Sequence, residues 1–168
     1  MIPSALRPDA PPPRLALIDL GSNTALMTVL FGDQAEPRRL RIAEELQVIT
    51  GLGRARPPDG RLNPRSRARA IQALGHFAGR LEALGIPPSA VLGATTAAVR
   101  EATDGEGFLS DLKEHTGILL EVISGETEAE LVALAQERSF PALLPLLVVD
   151  IGGGSTEVAL RERGHTLW

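Results

Sequence analysis

The chain has 168 residues and no cysteine, which excludes disulfide bonds, a thiol nucleophile and a cysteine-ligated metal site. A hydrophobic fraction of 43% suffices for a domain with a buried core, and no apolar run is long enough to span a bilayer. The net charge is −4, with 11 arginines and 7 acidic residues in 1–75 but 6 basic and 14 acidic residues in 76–168. The arginine-rich regions lack interleaved aromatic residues, so the composition does not favour binding of DNA. Because the N-terminus lacks the order of a signal peptide, we expect a cytoplasmic protein without a membrane partner.

The first organised stretch is a pair of apolar strands joined by a polar turn. Residues 1–13 contain five prolines and predict a disordered tail. Leu15–Leu20 and Ala25–Phe31 then predict the two strands of a hairpin, with Asp19 just before the turn. The turn consists of Gly21, Ser22, Asn23 and Thr24.

A third strand and a glycine-rich loop follow this hairpin. The apolar positions of Arg38–Ile49 predict a strand that completes a three-stranded meander, with a helix near Ala43–Leu46 as the competing interpretation. Thr50–Leu62 is rich in glycine and proline and predicts a loop. It is either a mobile basic loop near a phosphate site or a solvated surface loop, and its arginines are Arg54, Arg56 and Arg61.

The middle of the chain alternates helices with short strands. Asn63 is a good N-cap with proline after it, and helical periodicity runs from there to a stop at Gly85. Ala90–Ala94 then predicts a strand and Phe108–His115 a helix. A strand over Leu119–Ile123 precedes a last helix, which is capped by Ser124 and runs to Ser139.

A second polar turn between apolar strands lies in Leu147–Leu160, LVVDIGGGSTEVAL. Asp150 precedes the turn as Asp19 does in the first hairpin, and the turn consists of Gly152, Gly153, Gly154, Ser155 and Thr156. Glycine-rich turns of this kind direct backbone N–H groups into a concavity that suits phosphate oxygens, and a neighbouring aspartate can hold a cation. Two such hairpins predict two related halves that face each other across a phosphate.

Charged residues near strand ends supply further candidates. Arg100 follows the strand at Ala90–Ala94, where open α/β sheets bind ligands, so it is either a phosphate clamp or a surface ion-pair partner of Glu101. Three glutamates lie in the first turns of the last helix, Glu126, Glu128 and Glu130. One of them can act as a general base near phosphate, although acids at a helix N-terminus also simply favour the helix dipole.

With both hairpins, TTAAVREA at residues 95–102 and ISGETEAE at residues 123–130, the chain resembles the exopolyphosphatase and guanosine pentaphosphate phosphatase (Ppx/GppA) family. The resemblance implies the α/β fold of the actin-like ATPases (ribonuclease H-like), a β-meander followed by βαβα and then a second similar domain. It implies a first domain over residues 14–140 and, over residues 141–168, the first hairpin of a truncated second domain.

The resemblance also implies an enzyme that hydrolyses a terminal phosphoanhydride of polyphosphate or of guanosine pentaphosphate (pppGpp) with Mg²⁺. Glu128 matches the glutamate that activates water, and Arg100 matches an arginine that reaches the phosphate. Asp19 and Asp150 match the two aspartates associated with metal and water. The turns 21–24 and 152–156 match the two phosphate-binding loops.

Two residues depart from the family pattern. Thr127 stands where an acidic residue often precedes the catalytic glutamate, and Leu26 replaces a basic residue common after the first loop. These departures keep open the alternative of an inactive nucleotide-binding or alarmone-binding module. Because the glycine-rich loops are shared across the ATPase superfamily, a fragment of another member of that superfamily is a second alternative. A homodimer that completes the sheet edges is a further expectation.

Overall fold

The computed structural model describes residues 14–32, 40–143, 145–162 and 164–167. The predicted N-terminal tail and the first two residues of the predicted strand Arg38–Ile49 lie outside the described residues. Over the described parts, the structure has the expected α/β arrangement of a meander followed by alternating helices and strands.

Five strands form the larger sheet. The meander consists of β1 (Arg14–Leu20), β2 (Thr24–Gly32) and β3 (Leu40–Ile49), which pair antiparallel in chain order. The strands β4 (Val91–Thr95) and β5 (Glu121–Val122) add in parallel on the other side of β1, so the order is β3-β2-β1-β4-β5. The segment from residue 43 to residue 46 is strand, so the competing helix is wrong there.

In the described part of the chain, four α-helices accompany the strands, α1 (Pro64–Ala83), α2 (Ala97–Arg100), α3 (Gly105–Thr116) and α4 (Gly125–Ser139). Asn63 caps α1 by accepting from the N–H groups of Arg65 and Ser66, as predicted. Ser124 caps α4 by accepting from the N–H of Thr127. The helix α3 begins three residues earlier than predicted, and β5 is shorter than the predicted strand at Leu119–Ile123.

The core lies between the larger sheet and the helices α1 and α3. Alternate residues of β1 and β2 point into it because side chains on a strand alternate between faces. From the helices, Leu74 and Phe77 of α1 and Phe108 and Leu112 of α3 are buried against this face. The sheet is thereby fixed from one side, and the carboxyl ends of β1 and β4 lie at one edge of it.

A second, three-stranded sheet consists of β6 (Leu146–Ile151), β7 (Thr156–Glu162) and β8 (His165–Leu167). The helix α4 packs on one face of this sheet through Ala129 and Ala133, which meet Ala159 of β7. Arg161 is buried there, 2.8 Å from the Glu137 carboxylate of α4. The helix that follows the first sheet is therefore attached to the second.

The opposite face of the smaller sheet exposes apolar side chains, namely Leu147, Val149, Ile151, Val158 and Leu167. Strand alternation explains this face in β6 and β7, where these exposed residues alternate with less exposed ones. Within the described ranges, no helix is long and apolar enough to cross a bilayer.

Candidate functional site

An open cavity of about 390 Å³ lies between the two sheets. Both polar turns contribute to its wall, together with both aspartates and one glutamate of α4. The predicted site residues in this wall are Asp19, Gly21, Ser22, Asn23, Thr24, Glu128, Asp150, Gly152, Gly153, Gly154 and Ser155. The structure thus brings together residues from the two ends and the middle of the chain.

The two turns are built alike. In the first, the N–H of Gly21 donates to the carbonyl of Thr24 at 2.9 Å, and in the second the N–H of Gly152 donates to the carbonyl of Ser155 at 3.0 Å. Each turn joins two antiparallel strands, and an aspartate lies two residues before the glycine in both. We call these turns loop A (residues 21–24) and loop B (residues 152–156).

Loops A and B touch each other, and this contact requires glycine in loop B. A Cβ atom added to Gly154 would lie 2.4 Å from Ser22 Oγ and 2.9 Å from Ser22 Cβ. A Cβ atom added to Gly153 would lie 2.9 Å from Asn23 Cβ. The glycines therefore allow the two backbones to approach at the floor of the cavity.

Asp19 and Asp150 lie in the cavity wall at the ends of β1 and β6. Asp19 is an exposed residue, but nearby protein atoms partly remove its carboxylate from solvent. This partial burial, followed by the negative charge of Asp150, raises the pKa of Asp19 above its usual range. The two carboxylates therefore lie within each other's electric field.

Glu128 lies in the first turn of α4 with a side chain that is 18% exposed. Burial, together with the charge of Glu157, raises the pKa of Glu128, and the Arg100 guanidinium opposes this only in part. Its Oε2 atom is buried without a hydrogen-bond partner in the described part of the chain. This oxygen lies 3.6 Å from Arg100 Nη1, so Arg100 is its ion-pair partner, and Glu128 itself lines the polar cavity.

Two predicted site residues do not line the cavity. Arg100 donates from Nη1 to the carbonyl of Ile123 at 2.8 Å, and this same nitrogen is 3.6 Å from Glu128 Oε2. Arg100 thus contacts Glu128 from outside the cavity wall. Thr156 begins β7 and is exposed outside the cavity wall.

Glu157 is a residue that the sequence analysis missed. It pairs with Asp150 across the hairpin of β6 and β7, its Oε2 is buried without a described hydrogen-bond partner, and its charge acts on Glu128. The only signal in the sequence was an acidic residue directly after loop B, and its alternation with apolar neighbours indicated an ordinary strand position.

The arginines of the loop at residues 50–62 do not line the cavity either. Arg56 donates to the carbonyls of Ala98 and Glu101 at 3.0 and 2.9 Å, and Arg61 lies 3.6 Å from the Asp104 carboxylate. This loop is therefore attached to α2 and to the start of α3, and Arg56 lines a neighbouring pocket together with Ser22 and Gly154.

Paired strand–Asp–Gly hairpins on two sheets, facing each other across a polar cavity, define the class of actin-like ATPase folds. The family model described as the Ppx/GppA phosphatase family matches residues 33–167. The chain belongs to the Ppx/GppA phosphatase family.

Solved structures of this family are similar to the chain. The Aquifex aeolicus family member shares 30% identity with a TM-score of 0.77, covering 94% of this chain and 50% of its own. An exopolyphosphatase from Cytophaga hutchinsonii shares 26% identity with a TM-score of 0.81, covering 93% and 49%. The chain thus spans about half the length of these proteins. The ethanolamine utilization protein EutJ of Carboxydothermus hydrogenoformans, at 23% identity and a TM-score of 0.51, shares the fold.

Proposed function

We propose that the chain supplies the phosphate cavity of an enzyme that hydrolyses the terminal phosphoanhydride of polyphosphate or pppGpp. Family membership and the similarity to an exopolyphosphatase support this reaction class. The observation that carries the proposal is the position of Glu128, which lines the same cavity as loops A and B and has a side chain that is only 18% exposed.

Glu128 fits the role of general base. A base must accept a proton from water within reach of the phosphate, and an elevated carboxylate pKa increases its basicity. Arg100 supports the charged form of Glu128 from behind. Arg100 donates to the Ile123 carbonyl through Nη1, so contact with a phosphate would use other N–H groups of the guanidinium.

Loops A and B fit the role of phosphate-binding loops. A phosphoryl group that undergoes transfer carries charge on several oxygens, which backbone N–H groups can stabilise without reorganisation. The hydroxyls of Ser22 and Ser155 lie in the same wall and add donors.

The donor set also fits Mg²⁺. Mg²⁺ is usually held by one or two carboxylates together with water and substrate phosphates, and Asp19 and Asp150 supply two carboxylates whose mutual repulsion a cation would relieve. No cluster of three or more histidine, aspartate or glutamate ligands occurs in the described part of the chain, so a site made of protein ligands alone is not expected there. When bound, the ion would offset the negative charge of the phosphate oxygens.

The test is phosphate release from long-chain polyphosphate and from pppGpp, with Mg²⁺ and with EDTA. We expect Glu128→Gln to lower the release rate by about 100-fold or more, the scale of general-base catalysis. The matched control is Glu126→Gln, which changes an exposed glutamate in the same helical turn, outside the cavity wall.

The pH profile adds a second readout. A base is active when deprotonated, so the rate rises with pH through the elevated pKa of Glu128, and Glu128→Gln removes this limb. Release that is unchanged in Glu128→Gln would refute the assignment of the base. Binding of tripolyphosphate by calorimetry, without release from any substrate, would instead favour the alternative of a binding module.

A further inference from the structure

Loop A is held from behind by the loop that follows β3. The N–H groups of Thr50 and Gly51 both donate to the carbonyl of Asn23, at 3.0 and 2.9 Å, and the N–H of Gly53 donates to the carbonyl of Ser22 at 2.7 Å. Residues 50–53, which we call the support loop, therefore bind two successive carbonyls of loop A.

This support determines how loop A presents its donors. In a trans peptide the C=O and the following N–H point in opposite directions. With the Ser22 carbonyl turned to the support loop, the N–H of Asn23 points away from it. A Cβ atom on Gly153 of loop B would lie 3.2 Å from this Asn23 nitrogen, so the nitrogen lies next to Gly153, and both residues line the cavity.

The support loop is in turn held by Arg69 of α1. Arg69 donates from Nε and Nη2 to the carbonyl of Thr50 at 2.9 and 2.7 Å, and Nη2 also lies 2.8 Å from Ser66 Oγ. Thr50 is fully buried, so the guanidinium delivers charge-assisted bonds to a buried carbonyl.

Gly51 makes room for this arrangement. Its φ is +60°, and a Cβ atom there would lie 3.3 Å from Arg69 Nη2. The backbone turn and the space for the guanidinium therefore both favour glycine at this position.

From these contacts we infer that Arg69 is a positioning residue for phosphate binding. It lies outside the cavity wall and acts through the support loop on loop A. The inference rests on the proposed function, because loop A is taken as a phosphate-binding loop. Through the support loop, Arg69 holds the N–H groups of loop A in place before phosphate binds. Its loss therefore weakens phosphate binding and leaves the role of Glu128 as base unchanged.

The test uses Arg69→Met, Arg69→Lys and the control Arg80→Met. Arg80 belongs to the same helix and donates from Nε and Nη2 to the Glu44 carboxylate on the exposed surface. Amide hydrogen exchange of Gly51 and Gly53 reports on the support loop, and calorimetry with tripolyphosphate and Mg²⁺ reports on loop A.

We expect Arg69→Met to accelerate exchange at Gly51 and Gly53 and to raise the Kd for tripolyphosphate, each by about tenfold. Arg69→Lys keeps the positive charge but cannot donate the two guanidinium N–H bonds to the Thr50 carbonyl, so its effect lies between those of the wild type and Arg69→Met. Arg80→Met changes neither readout. In turnover assays Arg69→Met raises KM and leaves the pH limb of Glu128 in place.

Exchange at Gly51 and Gly53 that is no faster in Arg69→Met than in Arg80→Met would overturn the inference. Faster exchange with an unchanged Kd would overturn it as well. If the unmodified chain does not bind tripolyphosphate, the proposed function fails, and the exchange rates alone then decide whether Arg69 holds the support loop.

Discussion

Replacing Gly154 by alanine tests whether the contact between loops A and B shapes the cavity. The added Cβ would lie 2.4 Å from Ser22 Oγ, whereas ordinary contacts begin near 3.4 Å, so the loops must separate by about 1 Å. Rotation of the Ser22 hydroxyl does not relieve the clash, because Ser22 Cβ is itself at 2.9 Å and the residue is 6% exposed.

The cost follows from this geometry. Overpacking a closely packed contact destabilises by about 1–3 kcal/mol, and a chain of this size loses about 2–4 °C in Tm per kcal/mol. A displacement of about 1 Å in a binding loop lowers the rate by about 100-fold. We therefore expect a Tm that is lower by about 2–12 °C and a large loss of tripolyphosphate binding and of phosphate release.

Thermal unfolding and calorimetry measure both effects. Gly75→Ala is the control, because its Cβ would meet no atom within 4 Å and alanine favours the helix. The double variant Ser22→Gly with Gly154→Ala removes the clashing atoms, so the two substitutions should be non-additive by about 0.5–3 kcal/mol. If Gly154→Ala behaves like Gly75→Ala, or if Ser22→Gly brings no recovery, the proposed contact between the loops is refuted.

Two further variants test the attachment of α4 and the charge of the cavity. Arg161→Met breaks a buried pair with Glu137 and should destabilise by about 3 kcal/mol in thermal unfolding, far more than Arg80→Met on the surface; equal effects would contradict the importance of this pair. Asp19 has a raised pKa in the folded state, so the folded protein loses stability as pH rises from the ordinary pKa of aspartate through the raised one. Asp19→Asn should therefore raise Tm at pH 7 without Mg²⁺ but not at acidic pH. A lower Tm for Asp19→Asn at pH 7 would contradict the stated repulsion.

Helix boundaries were the most predictable part of the fold because their signals are local. The Asn63 cap, the stop at Gly85 and the Ser124 cap each act within a few residues, and the structure has all three helix ends as predicted. The start of α3 was missed because Gly105 disfavours helix, yet a Cβ there would lie 2.5 Å from the Val99 carbonyl oxygen, so packing requires glycine.

The site was predictable only where its residues belong to recognisable segments. Asp19, loop A, loop B and Glu128 were expected to meet, and they line one cavity. Glu157 was missed because its charge acts on the pKa of a residue 29 positions earlier in the chain, Glu128. The alternation of residues along a strand does not reveal such a long-range contact. The role of Arg69 was missed for another reason, since it binds a backbone carbonyl, and no sequence pattern marks such an acceptor.

The attachment of α4 couples the position of this helix to the relative orientation of the two sheets. The helix begins just after β5 of the larger sheet, with Ser124 as its N-cap. Its later turns pack on the smaller sheet through Ala133 and the ion pair of Glu137 with Arg161. Glu128 lies one turn after Ser124, at the end of the helix that joins the larger sheet. Any rotation of one sheet against the other therefore moves this carboxylate relative to loop A, so a ligand that bridges loops A and B also fixes the angle at which Glu128 meets it.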